Sequence, residues 1–93
     1  MDFWATWCGP CSGEMPHLHA ACERFKDRNF TILSLSLDRR PAHVAVFREK
    51  HWPMPWLHAF LAGGFENELA QRFDVLGIPR PILVGPSGII VEL

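Results

Sequence analysis

The chain has 93 residues, of which 48% are hydrophobic, and its formal net charge is −1 at pH 7. This length supports one domain with a modest core. The balanced charge argues against a nucleic-acid partner, which needs a basic face, and the apolar content argues against a disordered chain. No apolar run approaches the roughly 20 residues that a membrane-spanning helix requires.

The chain opens with the end of a predicted buried strand, residues 1–5, followed by two cysteines three positions apart, Cys8 and Cys11. Pro10 fits the first turn of a helix, where its missing N–H needs no partner. Cys8 then lies at the positive end of the helix dipole, which favours its thiolate over its thiol. We expect Cys8 to face solvent and Cys11, one turn into the helix, to be the less exposed sulfur. We expect Cys8 to attack a substrate disulfide and Cys11 to resolve the mixed disulfide.

Other uses of a CxxC pair are less well supported. Half of a zinc site would need a second CxxC or a well-spaced Cys/His pair, which the sequence lacks. Haem attachment would need His after Cys11, where Ser12 stands. A purely structural disulfide stays open as an alternative.

The first predicted helix covers residues 10–28, with Pro16 expected to kink it. Its third cysteine, Cys22, lies on the apolar stripe and is interpreted as a core residue. The stripe consists of Met15, Leu18, Cys22 and Phe25.

The later segments alternate between strand and helix patterns. They predict a strand at residues 30–37, a helix from Pro41 with Val44 and Phe47 facing inward, a loop at 52–56, a short helix at 66–73, and an antiparallel hairpin of residues 82–84 and 89–91 around a turn at 85–88. Together these elements predict an α/β fold with a central mixed β-sheet flanked by helices.

The segment DFWATWCGPC, residues 2–11, closely resembles the active-site segment of the thioredoxin superfamily. The continuation SGEMPHL, residues 12–18, resembles its TlpA/ResA-type branch of AhpC/TSA-like redoxins, and Gly77-Ile78-Pro79 is similar to the family's cis-proline loop. The resemblance implies a thioredoxin-like fold and a thiol-disulfide oxidoreductase, a reductant of protein disulfides with a thiol electron donor and no metal or organic cofactor. It further implies the bacterial cell envelope and a role such as cytochrome c maturation, without excluding the cytoplasm.

Against that family, both ends look cut short. We expect residues 1–93 to form a single thioredoxin-like domain that lacks the family's first strand and helix and its last helix. Uncovered sheet surface is the expected consequence, and self-association is one way to cover it.

The resemblance gives possible roles to two carboxylates. Asp2 matches the thioredoxin aspartate that lies beneath the cysteines and helps move the proton of Cys11, although a frayed, solvated chain end would explain Asp2 equally simply. Glu14 matches an active-site glutamate of the TlpA/ResA type, which could raise the thiol pKa or take a proton. Glu is also common in the first turns of ordinary helices.

The resemblance also assigns substrate-binding residues around the two cysteines. The Ile78–Pro79 bond is expected to be cis, with the backbone of Ile78 pairing with substrate. Arg80 stands where the family usually has Thr, so it could favour an acidic partner, stabilise the Cys8 thiolate or point into solvent. The remaining predicted contacts are Trp7, Gly9 and Pro10.

Packing is the simpler interpretation of the other aromatic and histidine residues. Trp4 is expected in the core, while Trp52 and Trp56 either pack or line the substrate groove. All five histidines are expected on the surface or with satisfied polar atoms. Two functional alternatives stay open: a cytosolic reductase of the tryparedoxin or nucleoredoxin kind, and a redox-inert binding module.

Overall fold

The computed structural model describes residues 1–92. Within that range the strands are β1 (Asp2–Trp4), β2 (Leu33–Ser36), β3 (Leu57–Phe60), β4 (Arg80–Pro81), β5 (Leu83–Val84) and β6 (Ile90–Glu92). The helices are α1 (Gly9–Phe25), α2 (Pro41–Lys50) and α3 (Glu68–Arg72), with a 3₁₀ turn at Gly64–Glu66.

Four strands form a mixed sheet in the order β3-β2-β1-β4. The three strands β1, β2 and β3 are parallel, and β4 runs antiparallel to β1. The strands β5 and β6 pair as a separate antiparallel hairpin, as the sequence predicted. The α/β class and the mixed sheet are therefore confirmed.

Successive residues of β1 face opposite sides of the sheet. Phe3 packs on one side with Leu35 of β2 and Ala70 of α3, whereas Trp4 packs on the other side with Met15 of α1 and Phe47 of α2. The sheet thus separates two apolar clusters, and the cysteines belong to the cluster on the α1 and α2 side. Of the helices among residues 1–92, none is both long and apolar enough to cross a bilayer.

Several predicted boundaries were wrong by a few residues. Helix α1 ends at Phe25 rather than at residue 28, because the chain turns there and reaches a left-handed residue, Asn29, with φ 54°. Residues 30–32 precede the β2 ladder instead of joining it. Helix α1 continues through Pro16, whose place inside the helix is as predicted.

Two strands were missed. Strand β3 follows the proline-rich loop and carries His58 between apolar residues, which hid its pattern. Strand β4 contains Pro81, a residue that argues against a strand interior but is tolerated at a sheet edge. Strand β4 matters for function because it continues directly from the loop at Pro79.

Candidate active site

The two cysteines lie where β1 leads into α1. A turn of residues 5–8, closed by the Cys8 N–H donating to Ala5 O at 3.1 Å, delivers Cys8 to the N-cap position of the helix. Pro10 occupies the first helical turn, as expected from its fixed φ. Cys8 Sγ accepts a hydrogen bond from the Cys11 backbone N–H at 3.1 Å. The same N–H would stabilise a Cys8 thiolate in the reduced protein.

Cys8 and Cys11 form a disulfide, with their Cα atoms 5.2 Å apart. Cys11 is the less exposed of the two, as predicted, but the expectation of a solvent-facing Cys8 is wrong for this form: Cys8 is 4% exposed and Cys11 2%. The burial follows from packing, because both sulfurs belong to the apolar cluster around Trp4 and Met15. Trp7 beside them is 61% exposed, so the accessible apolar surface comes from the indole and not from the sulfur.

The loop at Pro79 lies against this cluster. The Ile78–Pro79 peptide bond is cis, as predicted, and Ile78 packs against the core on both sides of the sheet, including the cysteine side. Arg80 then begins β4 opposite Phe3, half-buried, and takes part in none of the ion pairs between residues 1–92. The structure therefore brings the Ile78 segment to the dithiol and places Arg80 on the sheet edge.

Asp2 is buried in β1, not frayed. It is 6% exposed and lies in register with Ser34 and Pro81 on the two neighbouring strands. Burial raises the pKa of the Asp2 carboxyl to about 6, against a smaller lowering by the terminal ammonium and a further raising by the charge of Glu14. Glu14 itself is exposed on α1. The frayed-end alternative for Asp2 is thus wrong, and the charge of Glu14 is close enough to act on the Asp2 carboxyl.

An open cavity of about 560 Å³ adjoins Asp2. Its walls come from the C-terminal half of α1, the segment before β2 and the hairpin strand β5, and include Leu18, Ile32 and Leu83. The buried carboxyl therefore has a partly open space with apolar walls beside it.

A third carboxylate, Asp38, was missed. It is 1% exposed and accepts hydrogen bonds from Thr6 in the turn before Cys8 and from Ser36 at the end of β2. An acidic residue straight after a predicted buried strand was the available signal, since a buried carboxylate is costly without donors.

The expectation of satisfied histidines is wrong for His19 and His58. Each has a buried ring nitrogen without a hydrogen-bond partner among the described residues, Nε2 and Nδ1 respectively. The reason is aromatic packing: the His19 ring lies 5.3 Å from Trp52 and 5.1 Å from Trp56, centroid to centroid. The two tryptophans pack onto the cysteine-side cluster. The interpretation of Cys22 as a core residue is wrong, because Cys22 is a free, half-buried residue outside both buried clusters.

A helix N-terminus carrying a CxxC disulfide beside a cis-proline loop on a mixed α/β sheet defines the thioredoxin-like thiol-disulfide class. The AhpC/TSA family model matches residues 1–93, and the chain belongs to that family. The resemblance to TlpA/ResA-type redoxins of the thioredoxin superfamily is confirmed. Among residues 1–92, no group of three or more Cys, His, Asp or Glu side chains is placed to hold a metal ion.

The chain is similar to the thiol-disulfide oxidoreductase ResA of Bacillus thuringiensis, with 27% identity over 92 residues, 99% of this chain and 51% of that protein. It is 36% identical to a nucleoredoxin of Arabidopsis thaliana over 95% of this chain and 15% of the plant protein. The thioredoxin domain of a thiol-disulfide oxidoreductase from Bacteroides vulgatus superposes with a TM-score of 0.84 at 33% identity, covering 98% of this chain and 64% of that one. The thioredoxin-like fold is confirmed, and the chain spans about half the length of the ResA proteins it matches.

Proposed function

We propose that this chain is a thiol-disulfide oxidoreductase that reduces protein disulfides through Cys8 and Cys11. The observation that carries the proposal is the Cys8–Cys11 disulfide at the N-terminus of α1, with Cys8 Sγ accepting from a helix N–H and Ile78 packed beside it. Relatives named as thiol-disulfide oxidoreductases support it. The proposal covers the activity of the whole chain as a single thioredoxin-like domain, residues 1–93.

The reaction is a balanced pair of thiol exchanges. In the reduced protein the Cys8 thiolate attacks a substrate disulfide, so that a Cys8–substrate bond forms as the substrate S–S bond breaks and the departing thiolate takes a proton. Cys11 then loses its proton and attacks Cys8 Sγ, which forms the Cys8–Cys11 bond and releases the second substrate thiolate. Two electrons pass to the substrate, and a thiol donor then supplies two more to the Cys8–Cys11 disulfide and is itself oxidised to a disulfide.

Asp2 is suited to take the Cys11 proton. Its pKa of about 6 lies close enough to neutral pH for the carboxylate to accept a proton during resolution and release it afterwards. The exposed Glu14 acts through its charge, because it raises the pKa of Asp2. Both roles support catalysis at pH 7 without any metal or organic cofactor.

Substrate contacts surround the disulfide. Trp7, Gly9 and Pro10 are exposed beside the sulfurs, and the backbone of Ile78 before cis-Pro79 is suited to pair with an extended substrate strand. Arg80, at the start of β4, favours an acidic residue in the substrate. Because the Ile78 backbone would pair with an extended polypeptide, the proposed substrate is a protein disulfide and not a small disulfide.

The proposed setting is the bacterial cell envelope, where the expected role is reduction of an apocytochrome disulfide to its two thiols before haem attachment. The similarity to ResA supports this choice. The similarity to a plant nucleoredoxin favours a second candidate, a cytosolic reductase with the same chemistry and different partners. Self-association stays a prediction, consistent with Leu57, 60% exposed on the edge strand β3.

Insulin reduction with dithiothreitol as donor tests the activity. We expect turnover by the wild-type chain, complete loss in Cys8→Ser, and unchanged turnover in Cys22→Ser, the matched control for removing a thiol outside the site. Wild-type protein that is folded and inert in this assay would favour the redox-inert binding module instead.

A further inference from the structure

The turn that delivers Cys8 to α1 is tied to the neighbouring strand by one buried carboxylate. The β1–β2 pairing ends where Leu37 N–H donates to Trp4 O at 2.8 Å. One step further along, the backbone N–H of Thr6 lies 3.1 and 3.2 Å from the two carboxylate oxygens of Asp38. The Thr6 hydroxyl donates to the same carboxylate, Oγ1 to Oδ1, at 2.6 Å.

The strand side of the carboxylate is fixed equally firmly. Ser36 Oγ donates to Asp38 Oδ2 at 2.6 Å and accepts from the Asp38 backbone N–H at 3.0 Å. Asp38 is 1% exposed and Ser36 2%, so these bonds are shielded from water. No basic side chain pairs with Asp38 among the residues that the structure describes. Three donor groups from two elements therefore satisfy this buried anion.

This arrangement bears on Cys8 through the turn. Thr6 is a central residue of the turn closed by Cys8 N–H on Ala5 O, and Cys8 is the N-cap residue of α1. The Cys8 sulfur benefits from the helix N-terminus only while it stays within reach of the Cys11 N–H, 3.1 Å away. Movement of the turn would therefore displace Cys8 Sγ from the Cys11 N–H and weaken the stabilisation of its thiolate.

We propose that Asp38 is a positioning residue for the Cys8 thiolate, holding the Thr6 turn so that the sulfur stays at the N-terminus of α1 throughout the redox cycle. The inference rests on the proposed dithiol function and adds a residue to it. Asp38 touches neither sulfur nor substrate and acts only through Thr6.

The direction in which Asp38→Asn changes the reactivity of Cys8 distinguishes a positioning role from a purely electrostatic one. Asp38→Asn removes a negative charge near Cys8, and charge alone would make the thiolate easier to form. Positioning predicts the reverse, because Asn has a single acceptor oxygen. Its NH₂ group, a donor, then faces either Thr6 or Ser36 and cannot accept there, so the tie between the turn and β2 is broken on one side. We expect alkylation of reduced Cys8 by iodoacetamide at pH 7 to slow about tenfold, with its pH profile moved to higher pH.

Thr6 provides variants that keep the buried charge. Thr6→Val removes only the hydroxyl donor and is expected to slow Cys8 alkylation about fivefold, whereas Thr6→Ser restores the donor and the wild-type rate. This pair decides the question even if Asp38→Asn does not fold. Val75→Ala is the stability control, since Val75 is buried in the cluster on the other side of the sheet.

The full reduced chain is alkylated, and the label is assigned to Cys8 from fragment-ion masses, because residues 1–24 contain all three cysteines and no Lys or Arg before Arg24. Faster alkylation in Asp38→Asn, a wild-type profile in Thr6→Val, or slowing of equal size in Val75→Ala would overturn the proposal. Failure of the wild-type chain to reduce insulin would overturn the proposed function and would leave these alkylation rates measurable, so the two failures are distinct.

Discussion

The buried carboxyl of Asp2 should lower the stability of the folded protein at neutral pH but not at acid pH. The free energy of unfolding of Asp2→Asn, minus that of wild type, should therefore be larger at neutral pH than at acid pH. The carboxyl is 6% exposed, and its pKa is raised from 3.8 to about 6, chiefly by burial. None of the hydrogen bonds between the described residues reaches its side chain. Asn removes the charge while keeping nearly the same shape.

The magnitude follows from proton linkage. A raised pKa means that the folded state holds the proton more tightly than the unfolded state does. The contribution of Asp2 therefore opposes folding in full above about pH 6, and that opposition disappears as the pH falls below about 4. At about 1.4 kcal/mol per pH unit, the difference between 3.8 and about 6 corresponds to about 3 kcal/mol over the whole range.

Urea denaturation of the oxidised protein measures this contribution. Between pH 4.5 and 7.5, the free energy of unfolding of Asp2→Asn minus that of wild type should rise by about 2 kcal/mol. Titration of the other groups is common to both proteins and cancels in this difference. The cost of burying the amide does not depend on pH, so it does not contribute to the rise. Asp27→Asn, which removes an exposed carboxylate beyond α1, is the control and should show no comparable rise. A flat difference for Asp2→Asn would refute the buried-charge reasoning and, with it, the role of Asp2 as a proton acceptor.

Two further predictions concern Glu14 and the glycines. Glu14→Gln removes a like charge that raises the pKa of Asp2, so the Asp2-dependent stability change should move to lower pH and vanish in an Asp2→Asn background; an unmoved midpoint would contradict the coupling. Gly64→Ala should destabilise the fold by about 1–2 kcal/mol, because Gly64 has φ +59° and a Cβ would lie 3.3 Å from Leu37 O. Gly13→Ala, in open space on α1, should instead raise stability by about 0.5–1 kcal/mol, and thermal melts compare the two.

The sequence predicted those parts of the fold in which local chemistry decides the structure. The CxxC helix, the helix at Pro41 and the hairpin are each marked by periodicity, proline placement or a turn, and each is present. Strands β3 and β4 were missed because their positions depend on partners elsewhere in the chain. Pro81 can lie in a strand only because that strand is at a sheet edge, which is a property of the assembled sheet.

The same division holds for the site. Cys8, Cys11 and the cis bond before Pro79 were predictable because the resemblance lies in consecutive residues. The burial of Cys8 was not, because it arises from side chains of α1, α2 and the loop at Ile78 that meet only in the folded chain. Asp38 was missed for a related reason, since its partner Thr6 is 32 residues away.

The three carboxylates of this region differ in environment, and the differences assign them different work. Asp38 is buried and its carboxylate accepts hydrogen bonds from Thr6 and Ser36, so it is suited to hold structure. Asp2 is buried without such donors, so its pKa rises to about 6 and it is suited to exchange a proton. Glu14 is exposed and acts on Asp2 through charge. One region of the fold can therefore contain a hydrogen-bonded carboxylate that holds the turn and a second carboxyl that is suited to exchange a proton.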